Sequence, residues 1–151
     1  PEYGTGWDVV VDTSGIINGT YSFLFYESSQ PDIWQRDLGW TIERDKLESF
    51  FRQNMTDYGF DSQEIDDYIE YWIPRLSDYP FYSIYPQSKS TINQVIELEF
   101  SKEPDNILRL FYVIEGENEL VNVLAEPTIY SFARAGYFVT EWGVILEVDS
   151  Y

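Results

Sequence analysis

Two consecutive segments of this chain are built to one pattern: an acidic residue, a glutamate three positions on, an apolar stripe at helical spacing, then a stop. In RDKLESFFRQNMTDYG, Asp45 and Glu48 have the spacing of a capping box, and Leu47, Phe50, Phe51, Met55 and Tyr58 recur as one helical face. Gly59 is placed to end that helix in a left-handed conformation. In FDSQEIDDYIEYWIPRL the pattern repeats: Asp61 and Glu64 are the capping pair, and Ile65, Tyr68, Ile69, Trp72 and Ile73 form the stripe. Pro74 stops it. The spacing predicts a helical hairpin over about residues 45–76, tightly turned at Gly59-Phe60. Each helix has one apolar face, and neither is stable until that face is covered, so something flat has to lie beneath the pair.

The rest of the chain supplies β segments. Gly6 to Val11 (GWDVVV) and Thr20 to Glu27 (TYSFLFYE) read as strands, with Asn18-Gly19 as a type I′ hairpin signal between them. Leu38 to Ile42 is a further short strand, and Phe81 to Tyr85 is extended between Pro80 and Pro86. The clearest alternation is in INQVIELEF and ILRLFYVI, whose even positions are apolar: Ile96, Leu98 and Phe100, then Leu108, Leu110, Tyr112 and Ile114. Paired antiparallel around the turn SKEPDN, these two runs would set Glu97 or Glu99 opposite or diagonal to Arg109 on the other face, together with Val95, Phe111 and Val113. Glu115 to Glu119 reads as a polar loop, and Leu120–Leu124, Ile129–Phe132 and Tyr137–Leu146 as strands. Glu147 to Tyr151 continues a strand or begins a linker. The expectation is a single α+β domain over residues 1–151: an antiparallel β-sheet with the two-helix hairpin packed on one face and Trp72 central to that contact. The chain opens at Pro1, as a processed form or a piece of a longer protein would.

Composition narrows the chemistry. Acidic residues number 27 and basic ones 9, a net charge of −18 that repels nucleic acid and anionic membrane surfaces and leaves neutral or basic partners. No apolar run is long enough for a membrane helix. There is no histidine and no cysteine, which excludes Ser-His-Asp and Cys-His catalysis, HExxH zinc sites and thiolate ligands. An enzyme here would need paired carboxylates, Tyr, Lys, Ser or a bound metal, and the most suggestive acid is Glu141 beside Trp142, where a ring can desolvate a carboxyl group. A core tryptophan with an outward glutamate explains the same pair, and no nucleophile–base–orienter set can be assembled, so no catalytic residue is assigned.

Binding is the more natural expectation. Trp7, Trp34 and Trp40 fall in or near loops and are the aromatics that could stack on a glycan. A calcium loop would draw on Asp57, Asp61 and Glu64, but Tyr58 to Phe60 supplies no side-chain carboxylate or amide and Gly59 comes too early for an EF-hand, so no metal or other cofactor is expected. Asp66, Asp67 and Glu70 read as a solvated helix face. Arg109 with Glu97 or Glu99 reads as a structural ion pair. Asn18-Gly19-Thr20 is an accessible glycosylation sequon, whereas Asn54-Met55-Thr56 lies beside the apolar stripe, where a glycan would obstruct packing.

Several of these segments together carry a resemblance. YSFLFYE, the hairpin ending Tyr71-Trp72-x-Pro74-Arg75, EPDNILRLFYVI and the closing GYFVTEWGVIL resemble, in order, the landmarks of a bacterial and archaeal domain family of uncharacterised, often exported proteins. The chain departs at Tyr26, where the family tends to have Trp, and at Val144, which interrupts a Gly-Gly. The resemblance implies the fold and an extracellular or cell-surface location, but no activity. The function expected is a non-catalytic structural or protein-contact domain. The alternatives are a carbohydrate-binding module and, behind it, a carboxylate-based hydrolase. The oligomeric state is left open.

Overall fold

The computed structural model describes residues 7–121 and 125–146. The chain divides into two compact units, Pro1–Pro31 and Asp32–Tyr151.

The larger unit is α+β. Its sheet has four strands, β1 (Trp40–Glu43), β2 (Phe81–Gln87), β3 (Asn106–Glu117) and β4 (Phe138–Leu146), in the spatial order β1-β2-β3-β4. The pairs β1–β2 and β2–β3 are antiparallel, and β4 runs parallel to β3. Between β1 and β2 the chain makes the helical hairpin, α1 (Leu47–Tyr58) and α2 (Ser62–Trp72). Gly59 ends α1 at φ +107°, and its N–H returns to the carbonyls of Met55 and Thr56. A Cβ there would meet the Phe132 carbonyl at 2.9 Å, so space and backbone both call for glycine.

The two capping motifs behave differently. Asp61 accepts from the Glu64 N–H at 3.0 Å and Glu64 accepts from the Asp61 N–H at 2.8 Å, a complete box. Asp45 caps nothing: a 3-10 turn, Arg44–Lys46, shifts the start of α1 to Lys46, which makes no side-chain cap. Glu48 binds Arg52 instead.

One face of the sheet takes the hairpin. Leu47, Phe51 and Met55 of α1 and Ile65, Tyr68 and Ile69 of α2 pack on Tyr82, Ile84, Leu108, Leu110, Tyr112 and Ile114. Tyr68, not Trp72, is central: it is fully buried and its ring meets Phe51, Tyr112 and Trp142 at 5.0–6.0 Å. Trp72 is half-buried at the rim, edge-on to Tyr71. Asp66 and Glu70 face water as expected.

The opposite face is also covered. Trp34, Tyr85, Ile92, Phe111 and Val113 form a second apolar cluster, joined by Val95, Ile96 and Ile145. Segment 32–38 is fixed to this face by a reciprocal amide pair. The Gln35 N–H donates to Gln87 Oε1, and Gln87 Nε2 donates to the Gln35 carbonyl, each at 2.9 Å.

INQVIELEF is not a strand. Ser88 accepts from the Thr91 N–H and opens a short helix, α3 (Lys89–Ile92), and residues 97–100 have no regular structure. The physical reason is that β3 has two edges, and β2 and β4 occupy them. Ile92, Val95 and Ile96 also stand at i, i+3, i+4, so the run satisfies a helical turn as well as alternation. β2 continues through Pro86 rather than stopping there. The Pro86 carbonyl accepts from Gln35 Nε2 on the side where β1 has already ended, so the missing N–H of proline interrupts no ladder. β3 likewise runs on through Glu117, into the stretch read as a loop. Ile129–Phe132 is not a strand, and of Leu120–Leu124 the described residues 120 and 121 are not.

In the first unit, the expected strands reduce to single bridges, Val11 to Ile17 and Ile17 to Tyr21. Asn18 and Gly19 both have positive φ, as the turn signal required. Gly6, residues 122–124 and Glu147 to Tyr151 lie outside the described residues. No helix among the described residues is long and apolar enough to cross a membrane.

Candidate functional site

Alternation along β3 puts Leu108, Leu110 and Tyr112 against the helices, and therefore turns Arg109 to the opposite face. The parallel pairing of β3 and β4 sets Arg109 directly against Glu141. The Arg109 side chain is only 1% exposed. A charge this deep has to be paired and hydrogen-bonded, and most of the guanidinium is. Nε donates to Glu141 Oε2, and Nη1 donates to Asn93 Oδ1 and to the Ile96 carbonyl, both at 2.7 Å. Nη2 has no hydrogen-bond partner.

Arg109 is thus an ion-paired residue on a covered sheet face, as the sequence suggests, but the glutamates are misassigned. Neither Glu97 nor Glu99 is its salt-bridge partner. Both belong to a segment that is not a strand, and the acid that reaches Arg109 comes from β4. Glu141 is engaged there rather than standing as an acid desolvated by Trp142, whose ring packs on Tyr68.

Beside Arg109 lies a cavity of about 270 Å³. Its polar wall is Lys89, Asn93, Glu97, Glu103 and Arg109, and Leu98, Phe100 and Ile107 complete it. α3 and the turn after it supply one side, and the start of β3 the other.

The acids considered for calcium do not converge on one point. Asp57 accepts from Gln53 along α1. Asp61 and Glu64 are brought together, but around Arg134, which donates to Asp61 Oδ2 at 2.9 Å and Glu64 Oε2 at 2.8 Å. Glu64 Oε1 also accepts from the Thr140 hydroxyl. This cluster fastens the segment before β4 to the start of α2. Among the described residues no group of three or more acidic side chains is arranged to hold a metal ion.

Of the tryptophans nominated for glycan stacking, Trp34 and Trp40 are in the packing. Trp34 is 7% exposed, and Trp40 is half-buried with its ring 5.3 Å from Phe50. Trp7 is half-buried in the first unit. Asn18 is exposed on its turn, and its Oδ1 accepts from the Val10 N–H. Asn54 is buried, with its Oδ1 bound by the Tyr112 hydroxyl, so that sequon is closed to glycosylation.

One feature escapes the sequence reading. The crossover from β3 to β4, residues 118–137, has no helix or named strand among its described residues, yet it is pinned at several points. The Gly39 N–H donates to the Ala125 carbonyl, the Phe132 N–H donates to the Tyr58 carbonyl, and Arg134 grips the α2 cap. Between the last two anchors and Ala125 stands Tyr130, 80% exposed. Reading Ile129–Phe132 as a strand hid it; Glu126-Pro127-Thr128 just before is the signal that favours a loop.

No protein-family model, no curated protein and no solved structure matches the chain.

Proposed function

We propose that this chain is a non-catalytic contact domain of an extracellular or cell-surface protein, engaging a protein partner through the β3–β4 crossover. The observation that carries the reading is Tyr130, a large ring held in water on a segment fixed at Ala125, Phe132 and Arg134. Long irregular connections inside compact domains are commonly binding loops, and a tyrosine on an anchored loop loses little conformational freedom when a partner covers it. The partner is neutral or basic. With a net charge of −18, two copies of this chain repel each other, whereas a basic surface is drawn in. The location rests on the resemblance to exported proteins.

The test is affinity cross-linking on the cell envelope of the source organism, followed by titration of the purified partner with parent and Tyr130→Ala protein. The substitution touches an exposed side chain, so the fold is retained. Binding is expected to weaken by about 2 kcal/mol, as for a central aromatic contact, and to fall with added salt. Equal affinity of the two proteins, or no partner for the parent, overturns the proposal.

A further inference from the structure

Independently of that crossover, we infer that Asn18 is the acceptor of an N-linked glycan, and that the sugar covers an apolar turn in the first unit. Such glycans are added to exported chains, so this rests on the cell-surface reading above. Asn18-Gly19-Thr20 is a complete sequon without proline, but so short a pattern says little alone. Its geometry says more. The Asn18 N–H donates to the Val10 carbonyl at 2.7 Å, and the Val10 N–H donates to Asn18 Oδ1 at 2.9 Å. That ring of two bonds fixes the side-chain amide by its oxygen. Nδ2, the atom that a sugar joins, has no hydrogen-bond partner among the described residues. Asn18, Gly19 and Thr20 are all exposed, and nothing stands within 4 Å of where a Cβ on Gly19 would be. Asn54-Met55-Thr56 is the control within the same chain. Asn54 is buried with its Oδ1 bound by the Tyr112 hydroxyl, so of the two sequons the folded protein offers only the first.

The surroundings give the sugar something to cover. Val10 is 76% exposed, and Val11 and Tyr21 are exposed as well. All three stand on the same small ladder as Asn18. Val11 bridges Ile17, and Tyr21 exchanges two backbone bonds with Ile17, the residue before Asn18. Apolar side chains gathered at one surface turn call for a cover. A sugar linked at Asn18 lays its C–H faces over them and turns its hydroxyls to water. In the linking step the Asn18 amide nitrogen attacks the anomeric carbon of an oligosaccharide carried on a lipid diphosphate. A C–N bond forms and the C–O bond to phosphate breaks. The diphosphate leaves with the electron pair, and the amide gives up one proton. Oδ1 is not consumed, so the bond from Val10 survives the modification.

Two preparations test this. In the first, the purified folded chain is treated with a lipid-diphosphate oligosaccharide and a single-subunit oligosaccharyltransferase that accepts plain Asn-x-Thr sequons. Its intact mass is expected to rise by one glycan, and peptide mapping to place that glycan on Asn18. Thr20→Ala, an exposed change that spares the fold, should abolish the gain, and Thr56→Ala should leave it as it is. No transfer, or transfer to Asn54, overturns the site wherever the protein resides. The second preparation is the protein recovered from its source organism, where one glycan on Asn18 is again expected. A bare Asn18 there, after transfer in the first preparation, overturns the inference through the location and not through the acceptor geometry. Nuclear Overhauser contacts on the glycosylated chain test the cover. Sugar protons should approach the side chains of Val10, Val11 or Tyr21, and a glycan that touches none of them overturns that part.

Discussion

Tyr68 and Tyr112 stand side by side in the core, ring centroids 6.0 Å apart, and their hydroxyls have opposite energetic signs. The Tyr112 hydroxyl donates to Asn54 Oδ1 at 2.6 Å, with both residues buried. The Tyr68 hydroxyl is buried without a partner. Removing one member of a buried hydrogen bond strands the other, at a cost of about 1–3 kcal/mol, whereas removing an unpaired hydroxyl relieves its desolvation. Tyr112→Phe is therefore expected to lower stability by about 1–3 kcal/mol, and Tyr68→Phe to leave it unchanged or raise it by about 1 kcal/mol. Urea unfolding of the two variants checks this, and a larger loss for Tyr68→Phe would reverse the assignment. Single residues were legible in the sequence where a short-range pattern places them. Asn54 follows Phe50 and Phe51 by four and three positions, which is enough to put it beside the apolar face. The parity of β3 is enough to turn Arg109 away from the helices. Which glutamate meets Arg109 is set by strand order, a property no residue carries locally.

The two capping motifs make the same point for elements. Asp45-x-x-Glu48 and Asp61-x-x-Glu64 are equivalent as text, but only the second is a cap. Asp61 is extended, at φ −87° and ψ 174°, and its carboxylate also holds Arg134. Asp61→Ala should cost about 1 kcal/mol or more, through loss of the cap and of the Arg134 contact, while Asp45→Ala should stay within about 0.5 kcal/mol of the parent. Thermal unfolding compares them; equal losses would mean that Asp45 caps a helix after all. The helical hairpin could be read because its stripes, turn and stop all act within a few residues. Among the strands, Phe81–Gln87, Asn106–Glu117 and Phe138–Leu146 were readable in outline. Residues 92–100 alternate as well, but both edges of β3, the strand they were to pair with, are taken by β2 and β4, and the β-prone residues 129–132 join no strand. Alternation says that a segment suits a sheet; the competition for two edges of each strand decides whether it enters one. The cavity beside Arg109 was illegible for the same reason, since α3 creates it by not being a strand.

At the scale of the molecule, the larger unit is a sheet covered on both faces inside a strongly acidic exterior, and high pH stresses the interior and the exterior together. Tyr68 and Tyr112 are fully buried and Tyr58 is half-buried, and burial disfavours the charged phenolate. The Tyr58 phenol is pushed up to about 12, and those of Tyr68 and Tyr112 well above their ordinary value of 10.0. Below pH 10 these phenols are protonated whether the chain is folded or not, and their contribution to stability is complete. As pH rises above 10 the unfolded chain releases these protons while the folded chain keeps them, so stability falls, most steeply between pH 10 and about 12 for Tyr58 and on to higher pH for the other two. The urea midpoint is thus expected to hold nearly level from neutral pH to just below 10 and to drop beyond it. Part of the tyrosinate absorbance should appear only as native circular dichroism is lost. Added salt separates the two stresses, because screening relieves repulsion among surface carboxylates but does not reach a buried phenol. Salt should raise the midpoint at neutral pH and leave the alkaline fall in place. If salt removed the fall, or if all the tyrosinate appeared while the fold persisted, repulsion at the surface rather than the buried phenols would set the alkaline limit.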